Sequence, residues 1–153
     1  LVLTVQEEVA ERICAEAGEL SLLALSVQVY GRPEIIGRIP AEAFYPPPKV
    51  DSAILYVELF KSSLIPKAQL QDFFRLAKAG FSQKRKTLRN ALAGGMGWQP
   101  AQADALLIKA AIDPMRRAET LSLNDWKKLL CAYEKFRPEG HSVSNSLQTV
   151  RDH

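Results

Sequence analysis

An α/β unit followed by an all-helical unit is the fold class that this sequence predicts. Three observations carry it. Apolar, largely β-branched or leucine-rich runs without turn residues occupy 1–5, 22–30 and 52–60. Beyond residue 66 the apolar side chains recur at helical spacing to about residue 136. The change of period falls at "KSSLIP", residues 61–66, which divides the chain into an α/β unit over 1–60 and a helical unit over 66–136.

The opening "LVLTV" predicts a short buried strand. From Gln6 to Ala17 the pattern turns helical: Val5, Val9 and Ile13 recur every four residues, Glu7 and Glu8 sit in the first turn, and Gly18 is the stop. "LLALSVQVY" (22–30) and "SAILYVELF" (52–60) predict two further strands. Their near-continuous apolar content fits a sheet covered on both faces. The connection between these two strands is far longer than a hairpin loop, and such connections tend to carry function. Strand, helix, strand, strand is too little for a complete doubly wound sheet. A chain that opens without methionine, inside an apolar run, is therefore expected to be the later part of a longer protein.

In the second unit, Leu70, Phe73, Phe74, Ala77 and Phe81 form one apolar stripe. "KRKTLRNALAGG" predicts a second helix closed by Gly94 and Gly95, and Pro100 is placed as the first residue of a third that buries Ala103, Leu106, Leu107 and Ala110. Ser122, with Asp125 three residues on, caps a fourth that buries Trp126, Leu129, Leu130 and Tyr133. From Arg137 onward periodicity ends, and 137–153 is expected to be a disordered tail.

Composition bounds the chemistry. The 153 residues are 47% hydrophobic and 24% charged, with a net charge of +3, which alone implies no nucleic acid. No apolar run approaches the roughly 20 residues of a membrane span. Cys14 and Cys131 lie far apart in helical patterns, which points to buried, reduced thiols in a cytoplasmic protein. His141 and His153 both fall in the polar tail, so histidine catalysis and zinc chemistry have no residues to work with. No glycine-rich phosphate loop follows a strand; "GGMG" at 94–97 comes after a helix and reads as cap and turn.

Two stretches remain that could carry function. In "FSQKRKTLRN" (81–90) Lys84, Arg85, Lys86 and Arg89 fall within six residues, and on a helical wheel Arg85, Lys86 and Arg89 fan across one side. No acidic residue interrupts 73–103, so pairing within the helix cannot neutralise them and a run of phosphates suits them better than a solvated face. "AFYPPPKVDS" (43–52) is the other. Its prolines hold Phe44 and Tyr45 at a defined angle, where Phe44 would stack on a planar base and Lys49 meet a phosphate. A purely structural proline loop with Phe44 as a plug fits the residues equally well. Arg116 and Arg117 either join the basic run or pair with Glu119, and pairing is the simpler reading.

Taken together, "FYPPPKVDSAIL" and "FSQKRKTLRNAL" resemble the KsgA-type family of rRNA adenine N6-dimethyltransferases. "LTVQEEVAERI", "LSVQVY" and "RRAETLS" fit the same family, and the likeness covers residues 1–136. The resemblance implies the C-terminal part of a Rossmann-like, S-adenosylmethionine-dependent methyltransferase domain, followed by a small helical domain that binds RNA. It implies dimethylation of two adjacent adenosines near the 3′ end of small-subunit (16S) rRNA during ribosome biogenesis. It further implies partnership with the immature small ribosomal subunit, and action as a monomer. By the resemblance Phe44 is a stacking face for the target adenine, and Lys49, Lys84, Arg85, Lys86 and Arg89 contact RNA. The family's cofactor-binding motifs have no counterpart in this chain, which is expected to be inactive alone. A large-subunit methyltransferase of the erythromycin-resistance type and a non-enzymatic RNA-binding or ribosome-assembly module are the alternatives.

Overall fold

The computed structural model describes residues 1–136; the tail at 137–153, with both histidines, lies outside the described residues. Strand β1 (Val2–Gln6) leads directly into helix α1 (Glu7–Ile13), followed by α2 (Leu22–Gln28), β2 (Gly31–Ile39) and β3 (Ser52–Leu59). The helical region comprises α3 (Leu70–Phe81), α4 (Leu88–Met96), α5 (Pro100–Lys109) and α6 (Leu123–Phe136). The sheet has the order β1-β3-β2, with the last strand in the centre and antiparallel to both neighbours.

Residues 22–30 are a helix and not the expected strand. Ser21 caps it, its hydroxyl accepting from the Ala24 amide at 3.1 Å. The helix lies between two cores. Ala24, Leu25 and Val29 join the helical core, and Leu23 and Val27 pack toward Ala53, Leu55 and Val57 of the sheet. Apolar contact on both sides erases the polar stripe, and a short apolar run without a stripe reads equally as a buried strand. The strand that does follow is "GRPEIIGRI", whose glycines, proline and charges conceal it. Pro33 is tolerated because β2 is a sheet edge. β1 is the opposite edge and is exposed, not buried: Val2 retains 60% of its accessible surface. The sheet is covered on one face, by α1 and α2, so β3 buries alternate residues.

The helical region follows the sequence more closely. The expected stripe lies on α3, with Phe73, Leu76 and Ala77 buried. Pro100 opens α5, and the α6 capping box closes with the Asp125 amide donating to Ser122 Oγ at 3.1 Å and the Ser122 amide to Asp125 Oδ2 at 3.0 Å. Helix α4 begins later than expected, at Leu88 after the Thr87 cap, and ends at Gly97 (φ 70°) instead of Gly94 and Gly95. Gly95 lies inside the helix, where a Cβ would stand 2.6 Å from the Ala79 backbone; its absence lets α3 and α4 meet closely. Both cysteines are free; Cys14 is half-buried, and Cys131 is exposed rather than buried.

Candidate nucleic-acid interface

The connection at 40–51 is a closed loop and not an open excursion. A turn of 3-10 helix (Ala41–Ala43) starts it, and Phe44 follows in extended conformation (φ −102°, ψ 153°). Asp51 holds the base. Its Oδ1 accepts from the Ala41 amide at 2.8 Å, and its carbonyl accepts from the Glu7 amide, the first of α1, at 3.1 Å. Between these pins the prolines leave the chain few alternatives. Phe44 is 38% exposed and Tyr45 fully exposed, so both rings are available to a flat partner. Lys49 borders a hollow of about 500 Å³ with Glu7, Glu8 and Glu11 of α1. Glu7 is paired with Arg38 of β2, which also reaches Glu11 at 3.4 Å.

The basic run is not a helical face. Lys84, Arg85 and Lys86 occupy an exposed turn ahead of α4, and of the four cations Arg89 alone lies on the helix. Ser82 and Thr87 explain this: the Ser82 hydroxyl donates to the Ala79 carbonyl at 2.6 Å, finishing α3, and Thr87 starts α4. The turn brings Lys84 and Lys86 to one side, whereas a helix would have spread them. None of the three turn cations has an ion-pair partner among the described residues. Arg89 does have one, because its Nε lies 2.9 Å from Asp104 Oδ2, a carboxylate of α5. The contact lacks hydrogen-bond alignment and is ionic. Neutralisation within the helix was excluded by the sequence; neutralisation from the next helix was not visible there.

Lys84 and Lys86 border a cleft of about 600 Å³ that separates the start of α2 from the α3–α4 turn. Arg12, Lys78 and Arg117 line it as well, with Glu8, Glu19 and Glu119 as counter-charges. Arg12 and Lys78 have no signal in the sequence, whereas Arg117 was one of two arginines that could join the basic run; the three come from α1, α3 and the segment before α6, and only the tertiary fold brings them together. Arg117 faces this cleft. Arg116 is held internally by Thr120 and Asp125, so the expected pair with Glu119 gives way to other partners. Glu8 borders both the cleft and the Lys49 hollow, so α1 is the wall shared by the two. The arrangement offers aromatic faces on one pinned loop and, across α1, a cleft whose five cations outnumber its three carboxylates, which together suit a nucleotide chain: stacking for bases, charge for phosphates.

The strand-to-helix passage at β1–α1 has no glycine, and the left-handed glycines Gly18 and Gly97 follow helices.

Residues 1–130 match the family described as ribosomal RNA adenine dimethylase. A ribosomal RNA small subunit methyltransferase A from Dehalococcoides mccartyi is 48% identical over 133 residues, which is 87% of this chain and 46% of that protein. The chain thus spans about half the length of the curated relatives it matches. Among solved structures, a dimethyladenosine transferase from Plasmodium falciparum superposes with a TM-score of 0.73 at 25% identity, covering 88% of this chain and 57% of that one. The 23S rRNA methyltransferase ErmE superposes with a TM-score of 0.63 at 20% identity, over 87% of this chain and 54% of its own, and shares the fold. The sheet and helices are therefore those of a Rossmann-like methyltransferase fold.

Proposed function

Because the chain belongs to the ribosomal RNA adenine dimethylase family, we propose that it supplies the target-base loop and the RNA-gripping surface of a small-subunit rRNA adenine N6-dimethyltransferase. One observation carries this reading above the rest. The turn Lys84–Lys86 is free of ion pairs among the described residues and opens onto a cleft to which three further cations are delivered. A concave group in which cations outnumber carboxylates binds phosphates by releasing condensed counterions.

The chemistry asks for a second element. The lone pair of an adenine N6 is delocalised into the ring, so methylation requires the base to be extruded and held in register with the donor. Phe44 on the Asp51-pinned loop is the stacking face in this proposal, Tyr45 flanks it, and Lys49 meets a neighbouring phosphate. Lys84, Arg85 and Lys86 grip the backbone. Arg89 supports the turn from the helix, with Asp104 taking up its charge. The methyl donor, S-adenosylmethionine, is bound by parts of the full-length protein outside these residues, and this chain alone is inactive. The helical region, 66–136, is the RNA-binding domain of the proposal.

A second reading, methylation of large-subunit rRNA, is supported by the structural likeness to ErmE, but that likeness extends to fold alone. The small-subunit reading has the relatives at 48% identity behind it. The deciding experiment offers the full-length protein undermethylated small and large ribosomal subunits with labelled donor. Methyl transfer to adenines of the small subunit is expected. Transfer to the large subunit alone would establish the alternative, and binding without transfer would leave a non-enzymatic assembly module.

A further inference from the structure

Residues 117–119 form the floor of the basic cleft, and the segment 113–121 around them is bonded to both of its walls. On one side the Gly18 and Leu20 amides donate to the Glu119 carbonyl at 3.0 and 3.2 Å, which anchors the approach to α2. On the other, the first two amides of α4 donate into the same segment: Leu88 to the Arg116 carbonyl at 2.7 Å and Arg89 to the Pro114 carbonyl at 3.1 Å. These two carbonyls replace the intrahelical acceptors that a helix start lacks, and they fix where the Lys84–Lys86 turn ends. The separation of the walls therefore depends on the shape of the floor between residues 116 and 119.

One side chain sets that shape. Arg116 Nε donates to Thr120 Oγ1 at 3.2 Å, its Nη2 donates to the Thr120 carbonyl at 2.6 Å, and its Nη1 stands 3.7 Å from Asp125 Oδ2. Asp125 is itself held by the α6 capping box. The Thr120 hydroxyl in turn donates to the Arg117 carbonyl at 2.7 Å. We propose that Arg116 is a positioning residue, a strut that holds the floor bent and so sets the width of the cationic cleft, without contacting RNA itself. The proposal rests on the RNA-binding reading of that cleft. It separates two adjacent arginines that the sequence cannot tell apart: Arg117 faces the cleft, and Arg116 uses its planar fork on the protein.

The test is charge-conserving. Arg116→Lys keeps the cation but cannot span Thr120 and Asp125 together. In the full-length protein it is expected to weaken RNA binding about tenfold at fixed salt, with an unchanged salt dependence. Amide exchange at Leu88, Arg89, Gly18 and Leu20 is expected to quicken about tenfold. Thr120→Val removes the hydroxyl that accepts from Arg116 and donates to the Arg117 carbonyl, without touching any charge, and is expected to move both readouts in the same direction by less. It also stands in should Arg116→Lys fail to fold. Wild-type binding by Arg116→Lys, or a reduced salt slope in Arg116→Gln, would make Arg116 an ordinary phosphate contact and overturn the strut. Unchanged amide exchange in both variants would overturn it as well. Should the wild-type protein bind no RNA, the RNA reading falls, and the exchange data still decide the strut.

Discussion

The sharpest consequence of the structure is that the four cations of 84–89 are not equivalent. Replacing Lys84, Arg85 and Lys86 together with alanine removes three charges that lack ion-pair partners among the described residues. Each phosphate contact on a single strand contributes roughly 0.7 to the slope of log affinity against log salt, so the triple variant should lose about 2 from that slope. Between 50 and 200 mM salt, a fourfold range, a slope of about 2 corresponds to a change of about 16-fold. The wild type and the triple variant should therefore differ most at low salt and converge by about that factor. Arg89→Ala tests the opposite case. It removes a guanidinium already compensated by Asp104, 2.9 Å away, and the slope should stay where it was. A partly exposed pair of this kind is worth about 0.2–1 kcal/mol, so any affinity change should be within a few fold. Fluorescence anisotropy on a labelled small-subunit rRNA 3′-end fragment, titrated at several salt concentrations, reads both quantities. A slope reduced by about 0.7 in Arg89→Ala would mean that the pair with Asp104 opens onto a phosphate. An unchanged slope in the triple variant would remove the turn from the interface.

Phe44→Ala in the full-length protein should lower methyl-transfer turnover by about 5- to 150-fold and leave S-adenosylmethionine affinity intact, since stacking on a base is worth roughly 1–3 kcal/mol; undiminished turnover in single-turnover kinetics would exclude the ring from the mechanism. Gly95→Ala should destabilise the fold by up to about 2 kcal/mol in chemical denaturation, because a Cβ 2.6 Å from the Ala79 backbone forces α3 and α4 apart at a cost that offsets a helix-propensity gain of about 1 kcal/mol. At pH 8 an alkylating reagent followed by peptide mapping should label exposed Cys131 quickly and half-buried Cys14 slowly. Burial first, and then the Glu34 carboxylate, push the Cys14 thiol up and keep it neutral. Equal labelling rates would contradict a half-buried, neutral Cys14; a thiol pKa raised by folding also makes stability fall as pH rises past the unfolded value.

What the sequence made legible depended on whether local pattern and tertiary setting agreed. The α3 stripe, the proline at the start of α5 and the Ser122–Asp125 box are one-sided, local signals, and the structure realises each of them. Residues 22–30 failed because α2 touches two cores at once, so its apolar residues have no polar side to give their period away. Strand β2 failed for the converse reason: an edge position admits Pro33 and two glycines, which local rules assign to a loop. For the candidate interface, sequence supplied the residue types and missed their charge balance. Asp104 is remote from Arg89 in sequence and adjacent in space, and Arg12, Lys78 and Arg117 meet the basic turn only after three separate elements have packed.

The two candidate contact segments share one construction, and it bears on how rigid the interface is. Neither Phe44 nor Lys84–Lys86 lies within a helix or strand, yet both segments have their exits fixed by backbone bonds to a neighbour. Asp51 ties the ends of the proline loop to each other and to the first amide of α1; the floor of the cleft takes the first two amides of α4. Loops held in this way lose little conformational entropy when a ligand arrives, because most of that cost was met on folding. They also have a common reference. α1 carries the Asp51 contact at its first amide and borders the basic cleft through Glu8 and Arg12. A backbone gripped at the turn would then hold the aromatic loop in a fixed register along the same RNA strand. Loosening either anchor should blur that register and reduce turnover, even where every RNA-contacting side chain remains in place.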